Sequence, residues 1–372
     1  MKYDIVVMGA GPAGAVVAML LAKKGHKVLL LSGETENKIF KVGECLSPAS
    51  FPILKRLGIL DQINEETHLR CYGNQSAWGE SSLIDIDFMF TPAGFGWHLD
   101  RIAFDLLLIK MAVEAGVEIK HEARVTKAIQ NGNGWDLIVK QFSENIAYQT
   151  KFLIDATGRS TWLTRQLNIK SQKFDDLIAF TAVYKKTQET KDQDTRTLIE
   201  AVAGGWWYTA LLPNDRRVLM YFTDAKEPTA KLASTSTGMK ILLEETNFIK
   251  DKILIAKYEL EMAPIGKPAH SMKLSQLVGD HWLAVGDAAV SFDPLSSQGI
   301  ISAIEGAERA AEAIHSHFTG DREALKIYEN YIQEIYDDYL EKHYVYYSSE
   351  KRWPVSTFWQ KMQGKTFESM IS

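Results

Sequence analysis

Two stretches combine residues whose types and spacing can do chemistry. The segment "GDAAVSFDPLSSQGI", Gly286 to Ile300, puts Asp287 after a glycine and Asp293 before Pro294, then runs through Gln298, Gly299 and Ile300 into an apolar helical pattern. A carboxylate accepts hydrogen bonds from hydroxyls, a proline pre-sets its φ and stiffens a turn, and bare amides at a helix start carry partial positive charge. Near the N-terminus, Gly9, Gly11 and Gly14 form G-x-G-x-x-G, enclosing Pro12 and Ala13, between the apolar run Ile5 to Met8 and a helical stretch. Glycines placed there let a pyrophosphate approach the backbone and the positive helix end, so this spacing points to a dinucleotide. An acid for the ribose is expected about 20 residues further on. The position eighteen beyond Gly14 is Ser32, whose hydroxyl can take that bond, with Glu34 or Glu36 as substitutes from the following loop.

These residues need a scaffold, and the flanking patterns predict one. "YDIVVMGAGPAGAVVAMLLAKKGHKVLLLS" reads as strand, glycine turn, helix and strand, the opening βαβ unit of a parallel sheet. "DRIAFDLLLIKMAVEAG" predicts a helix with Asp100 as N-cap and Gly116 as its stop. Strands are expected at Glu118 to Ile119, around Trp135 to Val139, along "KFLIDATG" to Gly158, and at Trp282 to Val285. Between about Gln172 and Pro264, alternating runs such as "GGWWYTALLP" and "RRVLMYFTD" predict a mixed or antiparallel sheet. The predicted fold class is α/β: a doubly wound, Rossmann-like parallel sheet, a second mixed-sheet substrate domain and a helical C-terminal tail. The expected division is 1–75, 97–171 and 266–318 for the dinucleotide domain, 76–96 and 172–265 for the substrate domain, and 319–372 for the tail, which is rich in tyrosine and tryptophan.

Composition narrows the function. With 372 residues, 46% hydrophobic and 24% charged, the chain has the make-up of a folded protein of about two domains. Its net charge of -5 speaks against a nucleic-acid binder, which needs a basic face. Two cysteines, Cys45 and Cys71, and nine histidines without ligand spacing predict no metal site and fit a reducing cytoplasm. Ile5 to Ala22 is uncharged, yet Gly9, Gly11, Pro12 and Gly14 interrupt it and Asp4 precedes it, so neither a membrane span nor a signal peptide is expected.

Three further motifs carry a family resemblance. "LDRIAFD" with Arg101, "DATG" with Ala156, Thr157 and Gly158, and "VGDAAVSFDPLSSQG" stand in the order found in FAD-dependent monooxygenases with the para-hydroxybenzoate hydroxylase fold. The resemblance implies FAD as cofactor, held by Gly9, Gly11, Pro12, Ala13, Gly14, Ser32, Gly43, Glu44, Arg101, Val125, Ala156, Thr157, Gly158, Gly286, Asp287, Pro294, Gln298, Gly299 and Ile300. A ribityl chain suits Asp287, a role compatible with capping a helix. The turn at Asp293-Pro294 and the amides at Gly299 suit the flavin ring, where negative charge collects on reduction. Molecular oxygen is the implied co-substrate, with NAD(P)H or externally supplied reduced flavin as electron source.

"FKVGECLSP" resembles the Gly-Glu-x-x-x-Pro segment of flavin-dependent halogenases and geranylgeranyl reductases, which makes Glu44 either a flavin-side polar group or a helix cap. Flavin-side candidates for catalysis are Glu44, Pro294 and Gly299. Cys45 reads as a buried thiol, with a covalent flavin tether as the alternative, and His98 reads as structural. Halogenation is not expected: Trp206 and Trp207 are adjacent instead of spaced as Trp-x-Trp-x-x-Pro, and Cys71 to Phe90 contains no lysine. "KVGECLSP", "GNQSAWG", "FDPLSSQGI" and "YYSSEKRWPVSTFW" together resemble the LodB/GoxB-type flavoproteins of tryptophylquinone biogenesis. That resemblance implies hydroxylation of a tryptophan in a partner quinoprotein amino-acid oxidase precursor. A small-molecule indole or phenol hydroxylase, and a reductase-like FAD dehydrogenase, are the alternatives. The aromatic tail either packs on the seam between domains or docks a partner.

Overall fold

The computed structural model describes residues 1–33, 40–64, 66–189 and 191–364. At its centre five strands run in the order Trp282–Ala284, Glu144–Asp155, Lys2–Met8, Val28–Leu31, Glu118–Lys120, all parallel to their neighbours. Ile5, Val6 and Val7 pair with Phe152, Leu153 and Ile154 on one side and with Val28, Leu29 and Leu30 on the other. Such unbroken apolar runs are what a parallel sheet covered on both faces requires. The Glu144–Asp155 strand also reaches back to pair with Gly134–Gln141, which pairs with Ala123–Asn131, adding an antiparallel flap to the sheet.

The helix Pro12–Lys23 lies between the helices Arg101–Glu114 and Gly299–Phe318. Small buried residues on the last of these, Ala303, Ala307, Ala310 and Ala311, let its axis come close to Ala15 and Ala18. Asp100 caps its helix as expected, accepting from the amides of Ile102 and Ala103, both at 3.0 Å. Gly14 is required by packing: a Cβ there would sit 1.9 Å from the carbonyl oxygen of Gly9.

The second sheet has seven strands in the order Glu259–Pro268, Leu177–Lys185, Arg216–Asp224, Gly205–Leu212, Thr197–Val202, Gly73–Ala77, Ile84–Asp87. It is mixed, because Thr197–Val202 and Gly73–Ala77 run parallel while the other pairs are antiparallel. Every residue of Gly205–Leu212 is buried. Alternation therefore sends Trp207 into one core with Leu219, Tyr221 and Leu242, and Trp206 to the opposite face with Phe222 and Met220.

The helix Ala324–Ser349 closes the seam. Tyr328, Tyr336, Tyr339 and Tyr347 are buried along it, and Tyr347 joins the short helix Thr357–Gln363 in a cluster with Trp206. The architecture is thus an α/β fold with a Rossmann-like sheet, a second mixed sheet and C-terminal helices. Among the described residues, no helix is long and apolar enough to cross a membrane.

Candidate functional site

A cleft of about 1160 Å³ opens between the two sheets. That exceeds the usual volume of a small-ligand pocket, about 300–1,000 Å³. Its nucleotide side is built from strand ends and helix starts, where backbone amides are free to meet a ligand. Of the residues predicted to bind cofactor, Gly9, Gly11, Pro12, Ala13, Gly43, Glu44, Arg101, Val125, Ala156, Thr157, Gly158, Asp287, Pro294, Gly299 and Ile300 line it. Gly14 and Gly286 do not. Gly14 packs on Gly9, and Gly286 takes a φ of +62° that aims its neighbour Asp287 inward.

Ser32 is held by its backbone. It is buried, its amide donates to the Lys120 carbonyl and its own carbonyl accepts from Ala123, so it ties two strands together outside the cleft wall. Gly33, the next residue, lines the cleft instead, and Arg124 grips its carbonyl with Nε at 2.9 Å and Nη2 at 2.6 Å. The substitutes Glu34 and Glu36 lie outside the described residues. Gln298 is exposed and does not line the cleft either; it stands at the N-cap of the Gly299 helix, where its carbonyl accepts from Ser302.

Three local networks hold the lining in shape. Asp155, fully buried, accepts from Thr157 N at 3.0 Å, Thr157 Oγ1 at 2.6 Å and Leu163 N at 2.8 Å, which pins the Ala156–Gly158 turn. Burial pushes its carboxyl up in spite of those bonds. Arg101 donates from Nη1 to the carbonyls of Val42 (2.8 Å) and Gly43 (2.6 Å), and from Nη2 to Asp105 at 3.2 Å, where Lys41 also pairs. Gly43 is needed there, with φ at +92° and Arg101 Nη1 only 2.5 Å from where a Cβ would stand. Asp293, buried beside Pro294, accepts from Leu295 N and from the phenol of Tyr347.

Asp287 opens onto the cleft with Arg159 Nε at 3.7 Å. Its deep position pushes the carboxyl up, against the pull of Arg159 and Arg101. Arg159 itself is anchored by the carbonyls of His270 and Phe292. No sequence argument singled it out, although it directly follows the Gly158 motif.

The loop after Val42 carries Glu44 and Cys45. Glu44 is 2% exposed and accepts from the amide of Gly43 at 3.0 Å. Cys45 is a free thiol on the cleft wall, opposite His98 in the sheet register, and burial pushes its pKa up. His98 is held by the Leu211 carbonyl at 2.7 Å and Thr197 Oγ1 at 3.1 Å. Cys71 lies on the far side of the His98 strand. Two strand spacings, roughly 9–10 Å, separate the two cysteine backbones, beyond the reach of a disulfide.

The wall opposite the nucleotide side comes from the second sheet, and sequence reasoning missed most of it. Two rows cross three strands: Ala179, Phe222 and Trp206, then Thr181, Met220 and Tyr208. Trp206 and Phe222 stack with centroids 3.8 Å apart and 8° between planes. The signal lay in the alternation of each strand, yet only the register reveals that the rows meet.

The residues present fit FAD. A Cβ at Gly11 or Gly299 would meet no protein atom within 4 Å, so both glycines leave room for a ligand beside a helix start. Asp287 offers a ribityl hydroxyl an acceptor. The FAD binding domain profile matches residues 2–340. The chain belongs to the FAD-binding domain family. This flavoprotein is 30% identical to the putative FAD-dependent oxidoreductase LodB of Marinomonas mediterranea over 362 residues, spanning 97% of this chain and 96% of that one. Among solved structures, the flavin-dependent halogenase CmlS superposes with a TM-score of 0.84 at 23% identity, over 98% of the flavoprotein and 68% of CmlS. The peptidyl tryptophan dihydroxylase QhpG, essential for tryptophylquinone cofactor biogenesis, gives 0.74 at 22% identity, over 98% and 79%. At those identities the structural likeness speaks to fold alone. The flavoprotein is an FAD-dependent oxidoreductase.

Proposed function

We propose that this flavoprotein oxygenates an electron-rich aromatic ring, an indole or a phenol, seated against the wall formed by Phe222, Trp206, Met220 and Tyr208. That wall carries the reading: an apolar, aromatic face shares one cleft with the Pro294–Gly299 segment, so a ring bound there lies beside the flavin site. When bound, FAD supplies the redox step, passing electrons from NAD(P)H or externally supplied reduced flavin to molecular oxygen. Gly9, Gly11 and the start of the Pro12 helix hold the pyrophosphate, and Asp287 takes a ribityl hydroxyl. The amides at the start of the Gly299 helix favour negative charge on the reduced ring. The Pro294 turn and the aromatic wall exclude water from the reacting atoms. No acid pair or nucleophile of the chain is required, because the cofactor performs the difficult chemistry.

The test supplies FAD-loaded protein with a reductant, indole or phenol, and ¹⁸O₂, with bromide and chloride present in parallel. A product carrying one labelled oxygen supports the reading. A halogenated ring with no labelled oxygen sinks it, as does oxygen consumption without any change in the ring. Reduction of a small metabolite without oxygen uptake would move the reading to a dehydrogenase.

A second reading takes the ring to be a tryptophan residue in a quinoprotein amino-acid oxidase precursor. The end-to-end 30% alignment with LodB supports it, together with the stated activity of QhpG. Partners recovered from cells with and without the gene separate the two. A partner tryptophan that gains oxygen only when the gene is present selects this reading, and partner peptides of unchanged mass select the small-molecule one. Two unbridged thiols suit work in a reducing cytoplasm.

A further inference from the structure

A line of tryptophans runs from the cleft to the surface. Trp206 lines the cleft and is 1% exposed. Trp78 meets it edge on with 6.2 Å between ring centroids, Trp359 meets Trp78 at 5.2 Å, and Trp353 stacks on Trp359 at 6.0 Å with 18° between planes. Trp353, the outermost, is half-buried and reaches solvent. Three segments far apart in the chain supply these rings, and the terminal "RWPVSTFW" motif brings the outer two. Trp162 also stands on the cleft wall, yet among the described residues it pairs with no other ring.

The inner end of the line carries a proton acceptor. Trp206 Nε1 donates to Tyr347 Oη at 3.0 Å, and Tyr347 in turn donates to the buried Asp293 carboxylate at 2.7 Å. An indole that loses an electron becomes a strong acid, and a bare cation is costly to hold in a protein interior. Here the Nε1 proton can pass to Tyr347 while the Tyr347 proton passes to Asp293. A neutral indole radical and a neutral carboxyl remain, with no buried cation. At the outer end the Arg352 guanidinium lies 4.3 Å from the Trp353 ring, its charge balanced by Glu350 at 2.6 Å, and water is at hand for the proton.

We propose that Trp206, Trp78, Trp359 and Trp353 carry single electrons from the surface to a strong one-electron oxidant at the flavin site, of which light-excited FAD is one. Each transfer moves one electron one ring inward. The oxidant in the cleft gains the electron, and Trp206, Trp78 and Trp359 are oxidised and refilled in turn. As Trp206 is refilled, the proton on Asp293 returns to it through Tyr347. Trp353 ends one electron short, with its indole proton given to water, until a soluble reductant such as ascorbate restores both. Indoles yield electrons only to strong oxidants, so the route leaves ordinary flavin reduction untouched and draws oxidising equivalents out of the cleft. It goes beyond ring oxygenation and rests only on FAD in the cleft.

The experiment excites FAD-loaded protein, free of substrate, with a blue flash and follows flavin and indole-radical absorbance with and without ascorbate. Wild type should show an indole radical whose decay ascorbate speeds. Trp353→Phe and Trp78→Phe should each lose that ascorbate-sensitive signal with FAD affinity unchanged, and their flavin absorbance should recover faster because the charge has no outward route. Trp206→Phe should lose the indole radical altogether. A purely structural role for these rings would move stability or FAD affinity and leave the radical kinetics alone.

A flash that yields no indole radical in wild type overturns the route, as does a wild-type radical that ascorbate does not reach. Retention of the ascorbate-sensitive signal by Trp353→Phe or by Trp206→Phe overturns it too, by placing the radical on another ring. The labelled-oxygen test of ring oxygenation reads a different product, so the failure of either reading leaves the other in place.

Discussion

The phenol of Tyr347 donates to the carboxylate of Asp293 at 2.7 Å and itself accepts from the indole Nε1 of Trp206 at 3.0 Å. One side chain of the aromatic tail thus joins the Asp293-Pro294 turn to the second sheet's side of the cleft. Tyr339, two helical turns earlier, reinforces it: its hydroxyl accepts from Asp293 N at 2.9 Å. Removing the bridge by Tyr347→Phe leaves a buried carboxylate and a buried indole short of a partner each. Stability should fall by about 1–3 kcal/mol, and FAD should bind more weakly because the Asp293-Pro294 turn loosens. Denaturant unfolding and FAD titration of the same preparation check both, and an unchanged FAD affinity would assign Tyr347 to packing alone.

The glycines separate into those the fold needs and those the ligand needs. Gly14→Ala forces a Cβ to within 1.9 Å of the Gly9 carbonyl oxygen, so the apoprotein should lose about 1–3 kcal/mol. At Gly299 a Cβ meets nothing in the protein. Gly299→Ala should leave the apoprotein as stable or gain up to about 1 kcal/mol, while FAD affinity drops. Paired melting curves with and without FAD test the contrast, and equal effects of the two substitutions would sink it.

Asp287 is assigned to a ribityl hydroxyl. Asp287→Ala should raise the FAD dissociation constant about ten- to hundred-fold, the worth of a hydrogen bond to a charged acceptor, with little change in the apoprotein. Quenching of flavin fluorescence on binding measures it. Affinity equal to wild type would restrict Asp287 to pairing with Arg159.

His270 gives a pH signature. Burial pushes its pKa down to about 4, helped by the charges of Arg159 and Lys173. The unfolded chain takes up this proton near pH 6.5, whereas the folded protein resists until about pH 4. The His270 contribution is therefore complete above pH 7 and is lost progressively as pH falls from 6.5 to 4. Urea unfolding of wild type and His270→Gln across that range should show a shallower acid slope in the variant; parallel slopes would contradict the assignment.

Much of the nucleotide side was legible in the chain, because its signals are local. Gly9, Gly11 and Gly14 act within one turn, Asp100 caps amides two and three residues away, and Asp287, Pro294 and Gly299 follow one another along a single strand-turn-helix passage. The Ser32 expectation has the same local origin. Counting along the chain reached that strand end, where the Ser32 backbone bonds to Lys120 and Ala123 and the next residue, Gly33, lines the cleft. The aromatic tail read equally well as packing or docking until Tyr347 was seen against Trp206, 141 residues away.

Amino-acid order was enough for the dinucleotide turn, the caps and the alternation of two sheets, since each depends on backbone geometry within a few residues. Which side chains share the cleft was decided by cross-strand register and by contacts between distant segments. Thr181, Tyr208 and Glu44 have no common local pattern, and a one-residue slip in the second sheet would turn Thr181 and Tyr208 to the other face. The second sheet's side of the cleft is a property of packing: its pieces come together only when strands far apart in the chain bring them to one wall.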